Sequence, residues 1–192
     1  MEFEERRFIM SEELVIKQCS PTLAGLKTGS LFSCAVKSKK EMIDCARELN
    51  KKLCVKGLRI LPLRYNNGRA LIYVYRPSKL KNDFSNKQVR ELLYSFGYNI
   101  ENPDMCVVQL MKRLKEAGEF PHEIGLFLGY PAEDVTGFIE NRAGGAKFTG
   151  YWKVYGDLEQ AKKTFAKYKK CTDVYCAQYA KGSNISKLTV AV

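Results

Sequence analysis

Hydrophobic and polar positions along the chain predict short helices and strands in alternation. Apolar residues at 42, 46, 49 and 53 form one face of a helix behind the capping pair Ser38 and Glu41, and Gly57 ends this helix. The same spacing, with its capping and stop signals, predicts further helices at 2–10, 20–25, 85–97, 102–118, 131–141, 157–171 and 173–180.

Apolar segments bounded by turn residues predict strands at 30–36, 58–64, 69–75, 123–129, 151–155 and 187–191. The turn Asn66-Asn67-Gly68 joins the second and third of them into a hairpin. The third is apolar enough to be central, whereas Pro62 places the second at a sheet edge or a bulge. We expect 70–75, 123–129 and 151–155 in one mixed sheet of five or six strands, with helices packed around it. The fold class is therefore α+β, as a single domain over 1–192.

Composition excludes several classes of protein. Apolar residues make up 45% and charged residues 28%, which is ordinary globular composition. No apolar run approaches the roughly 18 to 20 residues that a membrane span needs, and the acidic start has no signal-peptide core. Seven cysteines, an odd number without a Cys-x-x-Cys pair, do not indicate a secreted disulfide framework. We expect a cytoplasmic protein with no membrane partner.

The net charge of +11 is concentrated in one stretch of the chain. Residues 37–90 contain 15 Lys and Arg against four Asp and Glu, which accounts for the whole excess. Such a stretch could bind nucleic acid, an anionic lipid or an acidic partner, or it could simply be a solvated face.

The segment 120–131, Phe-Pro-His-Glu-Ile-Gly-Leu-Phe-Leu-Gly-Tyr-Pro, holds His122, the only histidine in the chain. On the predicted elements, His122 opens a strand, and Cys19 lies beside a helix start at Ser20 and Pro21, where the dipole lowers a thiol's pKa. An imidazole can take the thiol proton and leave a nucleophilic thiolate, while Gln18 or adjacent amides stabilise an oxyanion. This pattern predicts a thiol-dependent hydrolase or acyl-transferase acting on a small molecule or peptide.

Four stretches resemble the hallmarks of an uncharacterised bacterial family, a domain of unknown function. They are 19–27 (Cys-Ser-Pro-Thr-Leu-Ala-Gly-Leu-Lys), 71–77, 120–131 and 150–155 (Gly-Tyr-Trp-Lys-Val-Tyr). The resemblance spans nearly the whole chain, and it implies a single domain but no activity, cofactor or partner. The order of Gln18-Cys19 and His122 is also similar to that in papain-like peptidases of the bacteriocin-processing type. That resemblance implies a papain-like fold and a third catalytic residue, for which Asp157 is the best candidate.

Other chemistries are open on the sequence. His122 could bind a metal or haem with Cys19, Cys171 or Glu123, since imidazole and thiolate suit zinc, but no closely paired ligands support this and we assign no cofactor. There is no Gly-x-Ser-x-Gly elbow and no phosphate-binding loop. The aromatic residues of 151–155 either stack on nucleic-acid bases or on a flat ligand, or pack into the core.

Overall fold

The computed structural model describes residues 10–116, 119–142 and 144–191. Residues 2–9 of the helix expected at 2–10 therefore lie outside the described residues. The chain divides into two compact units, Met1–Ser78 with Cys171–Val192 and Lys79–Lys170, called here the first and second units. Organisation as a single domain stays a prediction.

The first unit contains a three-stranded antiparallel sheet with strand order β1-β3-β2. Its elements are α1 (Glu12–Leu23), β1 (Gly29–Ala35), α2 (Lys39–Leu53), β2 (Arg59–Asn66), β3 (Arg69–Tyr75) and, near the C-terminus, a short helix at Ile185–Leu188. The predicted hairpin is confirmed, with β3 central and Pro62 on an edge strand whose register shifts at 62–64. The Ser38 cap of α2 is also confirmed, since its hydroxyl accepts from the Glu41 amide.

The core of the first unit forms on one face of this sheet. Ala70, Ile72 and Val74 of β3 are fully buried, and they belong to one cluster with the apolar face of α2. Alternate residues of a strand point to opposite faces, so the even-numbered positions of β3 build this core. The apolar spacing read from α2 is confirmed by burial of Met42, which shares the cluster with Leu49.

Helix α1 corrects the expected helix start at Ser20. The helix begins much earlier, behind Ser11, whose side chain accepts from the Leu14 amide, and it continues through Pro21 to Leu23. Pro21 lies in the last turn, where its missing N–H removes one helical hydrogen bond without ending the helix. Ser20 lies inside the helix, where its hydroxyl donates to the Ile16 carbonyl. Cys19 is therefore in the body of a helix and not at its N-terminus.

Arg76 anchors the first unit although it is completely buried. Its guanidinium donates to the carbonyls of Thr22 at 2.7 Å, Leu23 at 2.7 Å, Val190 at 2.8 Å and Lys56 at 3.1 Å. Two of these acceptors lie at the C-terminal end of α1, where carbonyls lack helical partners and the helix dipole favours a cation. One side chain thus holds the end of α1 and the C-terminal segment together.

The second unit is mainly helical. Its elements are α3 (Pro77–Asp83, shared with the first unit), α4 (Lys87–Ser95), α5 (Pro103–Lys115), α6 (Ile124–Phe127), α7 (Ala132–Asn141), β4 (Phe148–Thr149), β5 (Lys153–Val154) and α8 (Leu158–Ala180), which continues into the first unit; the C-terminal helix Ile185–Leu188 is then α9. The start of α5 is confirmed, because the Asn102 side chain accepts from the amides of Asp104 and Met105.

The α+β class is confirmed, but the single sheet of five or six strands is wrong. The described residues form one sheet of three strands and one of two. The segment 123–129 contains the one-turn helix α6, and only Lys153–Val154 within 151–155 is a strand, paired with β4. The last expected strand, 187–191, is also wrong, because α9 covers its beginning. A continuous apolar run does not by itself distinguish a buried strand from a buried helical turn.

The two helices expected at 157–171 and 173–180 form the single helix α8 of 23 residues. Charged residues occur along most of its length. Within the described ranges, no helix combines the length and apolar content needed to cross a membrane.

Candidate functional site

His122 and Glu123, two adjacent polar residues of the segment 120–131, lie in different environments. Glu123 is 2% exposed and accepts from the Arg113 guanidinium at 2.8 Å and the Tyr98 hydroxyl at 2.9 Å. His122, one residue earlier, has a side chain that is 31% exposed. Glu123 is thus part of the interior of the second unit, and His122 is the residue available to a ligand.

His122 lies against two aromatic rings and one carboxylate. Its ring centroid is 4.9 Å from that of Phe138 in an edge-on arrangement and 6.5 Å from that of Phe120. Its Nε2 is 3.5 Å from the Glu119 carboxylate, which also pairs with Arg142 at 3.2 Å. The imidazole is therefore oriented from several sides while part of it faces solvent.

A pocket of about 330 Å³ opens beside His122, entirely within the second unit. We call it the His122 pocket. Its apolar lining consists of Phe120, Ile124, Gly125, Leu128, Val135 and Phe138. Its other lining residues carry a polar group, and they are His122, Tyr130, Asp134, Trp152 and Lys153. This combination of apolar walls with a few polar groups is typical of small-molecule sites.

Asp134 holds the wall that carries Trp152. The carboxylate is 3% exposed and accepts from the Trp152 indole at 2.6 Å, the Tyr155 amide at 2.7 Å and the Gly156 amide at 2.8 Å. Because Asp134 is in the first turn of α7, the helix dipole also favours its charge. The β4–β5 hairpin is thereby fixed to α7, and the indole is fixed at the pocket.

The Trp152 indole also stacks on Tyr130, with ring centroids 4.8 Å apart and planes inclined by 29°. Burial raises the pKa of Tyr130 to about 12, so its hydroxyl stays protonated and donates to the Tyr151 carbonyl at 3.2 Å. Two aromatic side chains that are far apart in sequence thus form one rigid part of the pocket wall.

Gly125 allows α6 to approach α7 closely. A β-carbon at this position would be 2.8 Å from Val135 Cγ2 and 3.2 Å from Tyr130 Cδ2, and the first distance is too short for real carbon atoms. The glycine within the 120–131 segment is therefore explained by packing at the pocket floor and not by catalysis.

Lys153 supplies the pocket with a cation. Its Nζ lies 5.7 Å from the centroid of Phe138, the ring that His122 also contacts. Among the described residues, no ion pair or hydrogen bond involves the Lys153 side chain. Imidazole and ammonium are therefore next to the same aromatic ring.

Comparison with known proteins gives a family but no activity. The model of DUF3793, a protein family of unknown function, matches residues 15–189. The chain belongs to this family. No curated protein and no solved structure matches the chain. The expected membership of an uncharacterised family is confirmed, and for this DUF3793 protein function has to be inferred from the molecule itself.

The residues expected to be catalytic in this DUF3793 chain are divided between the units. Gln18 and Cys19 belong to the first unit, whereas His122 and Asp157 belong to the second. Cys19 is fully buried, and burial raises the pKa of its thiol to about 12, which the nearby Lys27 ammonium and a hydrogen bond with Ser30 only partly offset. This corrects the expectation of a lowered thiol pKa, because that expectation required a helix start that the chain does not have.

Gln18 and Asp157 are both exposed, and their catalytic roles stay predictions. Gln18 is exposed whereas its neighbour Cys19 is buried, because consecutive residues of a helix diverge by about 100°. Asp157 Oδ1 accepts from the Gln160 amide at 3.0 Å, which confirms that it caps α8. The carboxylate that contacts His122 is that of Glu119 and not that of Asp157.

The alternative metal site gains no support from the geometry. Within the part of the chain that the structure describes, no three His, Cys, Asp or Glu side chains are placed to share a metal ion. Glu123, one of the ligands considered, is engaged by Arg113 and Tyr98.

Sequence reasoning missed Asp134 and Lys153 as residues of the site. Neither alternative for the aromatic residues of 151–155 is tested, since Trp152 both lines the pocket and packs against the core cluster that contains Val154. The signal that could have indicated Lys153 was the alternation of a short strand, which puts it on the side opposite the buried Val154.

Proposed function

We propose that this protein is a binding protein for a small organic molecule, which it holds in the His122 pocket. The observation that carries the proposal is the pocket itself, in which aromatic and aliphatic walls surround an imidazole and an ammonium group. Its volume of about 330 Å³ is at the lower end of the range of known ligand sites, which runs from about 300 to 1,000 Å³. A metabolite-sized molecule fits this volume, and a dinucleotide or a folded peptide does not.

Two residues that occur once in the chain make the proposal directly testable. Trp152 is the only tryptophan and His122 the only histidine, and both line the pocket. We expect the neutral dye N-phenyl-1-naphthylamine to bind, to quench Trp152 emission by energy transfer and to shift the imidazole signals of His122 in NMR spectra of tag-free protein. Replacement of Phe138 by alanine removes a wall of the pocket and should weaken dye binding about tenfold or more.

The matched control is Tyr94→Ala. Tyr94 is 72% exposed in α4 of the same unit and does not line the pocket, so its removal should leave dye affinity unchanged. Dye binding that is equal in both variants, or that leaves the Trp152 and His122 signals unchanged, would place the site elsewhere and refute the proposal.

Thiol catalysis by Cys19 and His122, with Gln18 and Asp157, stays a hypothesis of lower rank. Its motive is the order of these residues along the chain, but the burial and raised pKa of Cys19 do not favour it. A buried neutral thiol reacts slowly because the thiolate is the nucleophile. We therefore expect iodoacetamide at neutral pH to alkylate the half-buried Cys54 and Cys176 before Cys19.

Peptide mapping by mass spectrometry after timed alkylation measures this order. Alkylation of Cys19 ahead of the other cysteines would show an activated thiolate and would restore the hydrolase or acyl-transferase hypothesis. Alkylation of Cys19 only on unfolding would leave it as a packing residue.

Binding of nucleic acid or another anionic partner is a second candidate function. Register places Arg59 opposite Tyr75 and Arg64 opposite Leu71, so both share the odd-numbered face of β3 with Arg69, and all three arginines are exposed. Six other basic residues of 37–90 are engaged within the protein: Arg76 is buried on carbonyls, and five form ion pairs, namely Arg47, Lys51, Lys52, Lys87 and Arg90.

Fluorescence anisotropy with labelled single- and double-stranded oligonucleotides tests this candidate. Binding through these arginines should fall steeply as salt is raised, because counterions are released on binding. The triple change of Arg59, Arg64 and Arg69 to glutamine should flatten this dependence. A lack of binding to any oligonucleotide at low salt would reject nucleic acid as the partner.

A further inference from the structure

One carboxylate, Asp134, lines the His122 pocket and a second, Glu119, lies beside it, and both are already engaged. Asp134 accepts three hydrogen bonds from the Trp152 indole and the Tyr155 and Gly156 amides. Glu119, beside the pocket, pairs with Arg142 and contacts His122. Neither carboxylate is therefore placed to receive a cationic ligand.

Lys153 is in the opposite situation. It is half-buried, it lines the pocket, and its ammonium has no carboxylate partner among the described residues. The contact that it does make is with the face of Phe138, at 5.7 Å from the ring centroid. Such a contact compensates only part of the hydration that a partly buried ammonium loses. An anion in the pocket would replace the rest of the hydration that the Lys153 ammonium loses, whereas a cation would be repelled by the ammonium.

The shape of the walls favours a flat molecule. Trp152 stacks on Tyr130, Phe138 is met edge-on by His122, and Phe120 is next to the same imidazole. Aromatic rings associate through offset-stacked or edge-to-face contacts, which a planar apolar body can make with several of these rings together.

From these observations the geometry points to an aromatic molecule with one anionic group as the ligand of the His122 pocket, its ring against the aromatic walls and its anion on Lys153 and His122. This inference rests on the proposed function and adds the chemical class of the ligand. It assigns Lys153 as the residue that determines specificity for charge.

Three probes with one ring system test the assignment: 2-naphthylacetate, 2-naphthylacetamide and 2-naphthylethylamine are anionic, neutral and cationic at neutral pH. Their affinities are measured by titrating isotope-labelled, tag-free protein up to millimolar concentration and following the Trp152 indole and His122 imidazole signals. We expect the carboxylate to bind about tenfold more tightly than the amide, and the amine to bind most weakly, because a charge-assisted hydrogen bond is the stronger one.

The variant Lys153→Gln should reduce affinity for the carboxylate to that for the amide, while affinity for the amide stays unchanged. Its matched control is Lys163→Gln, which removes an exposed lysine of α8 in the same unit that does not line the pocket. This control should keep the preference for the carboxylate, so that an effect of net charge alone is separated from contact with the ligand.

The outcomes separate the two levels of the proposal. If the carboxylate and the amide bind equally, or if Lys153→Gln keeps the preference, the charge assignment is wrong while the pocket remains a ligand site. If the amine binds most tightly, the pocket selects cations and the inference is overturned. If none of the three probes shifts the Trp152 or His122 signals, the proposed function fails together with the inference.

Discussion

Replacement of Arg76 by glutamine should lower the free energy of unfolding by about 4 kcal/mol, because buried carbonyls left without a donor cost about 1–3 kcal/mol each. The guanidinium donates to four carbonyls while its side chain is 0% exposed. Glutamine reaches fewer of them and carries no charge for the end of α1. Urea unfolding followed by circular dichroism measures the loss.

Two further variants keep this expectation testable even if Arg76→Gln does not fold. Arg76→Lys retains the charge but cannot reach four acceptors from one ammonium, so an intermediate loss is expected. Arg69→Gln, in the same strand, removes an exposed arginine whose Nε donates to the Ser33 hydroxyl at 3.2 Å, and it should change stability by no more than about 0.5 kcal/mol. Equal stability of the Arg76→Lys and Arg69→Gln variants would show that Arg76 does not hold the end of α1 and the C-terminal segment together.

Replacement of Asp134 by alanine should cost about 3 kcal/mol and should also disturb the pocket, because three charge-assisted hydrogen bonds are lost. The donors left behind are the Trp152 indole and two backbone amides of 155–156. Since the indole then loses its anchor, Trp152 emission should shift to longer wavelength before any unfolding. Urea unfolding and the emission spectrum of the native protein measure the two effects.

Asp134→Asn and Glu140→Ala are the matched controls for this prediction. Asparagine keeps one oxygen for the two backbone amides, but its amide group meets the indole N–H donor to donor, so about half of the loss is expected. Glu140 is an exposed carboxylate on the same helix, and its removal should alter neither stability nor emission. An unchanged Trp152 spectrum in Asp134→Ala would mean that the carboxylate does not hold the indole.

Locally encoded features were predictable from the sequence. Ser38 caps α2 as expected, and Asn102 and Asp157 cap α5 and α8 where the helices predicted at 102–118 and 157–171 begin, since a cap involves only residues within one helical turn. The hairpin around Asn66-Asn67-Gly68 followed for the same reason, because two positive-φ residues fix a tight turn.

The candidate site was predictable only in part. The segment 120–131 and its single histidine were recognised as important, and His122 does line a pocket. Cys19 was expected to be the partner of His122 because a helix was predicted to start at Ser20. In the structure, Ser11 caps this helix and α1 continues past Pro21. The burial of Cys19, and with it the raised pKa, depends on packing that no local pattern reports.

The sequence by itself determined the α+β class, the caps of α2, α5 and α8, the hairpin with its edge strand and the family. Only the tertiary structure decided that 124–127 is a helical turn, that α8 is continuous and that Glu123 is an internal ion-pair partner while His122 lines a pocket. The physical reason is the sequence separation of the interacting residues, because caps and turns are made by neighbours in the chain. The pocket needs contacts such as Asp134 with Trp152, 18 residues apart, whose free energy exists only when distant segments pack together.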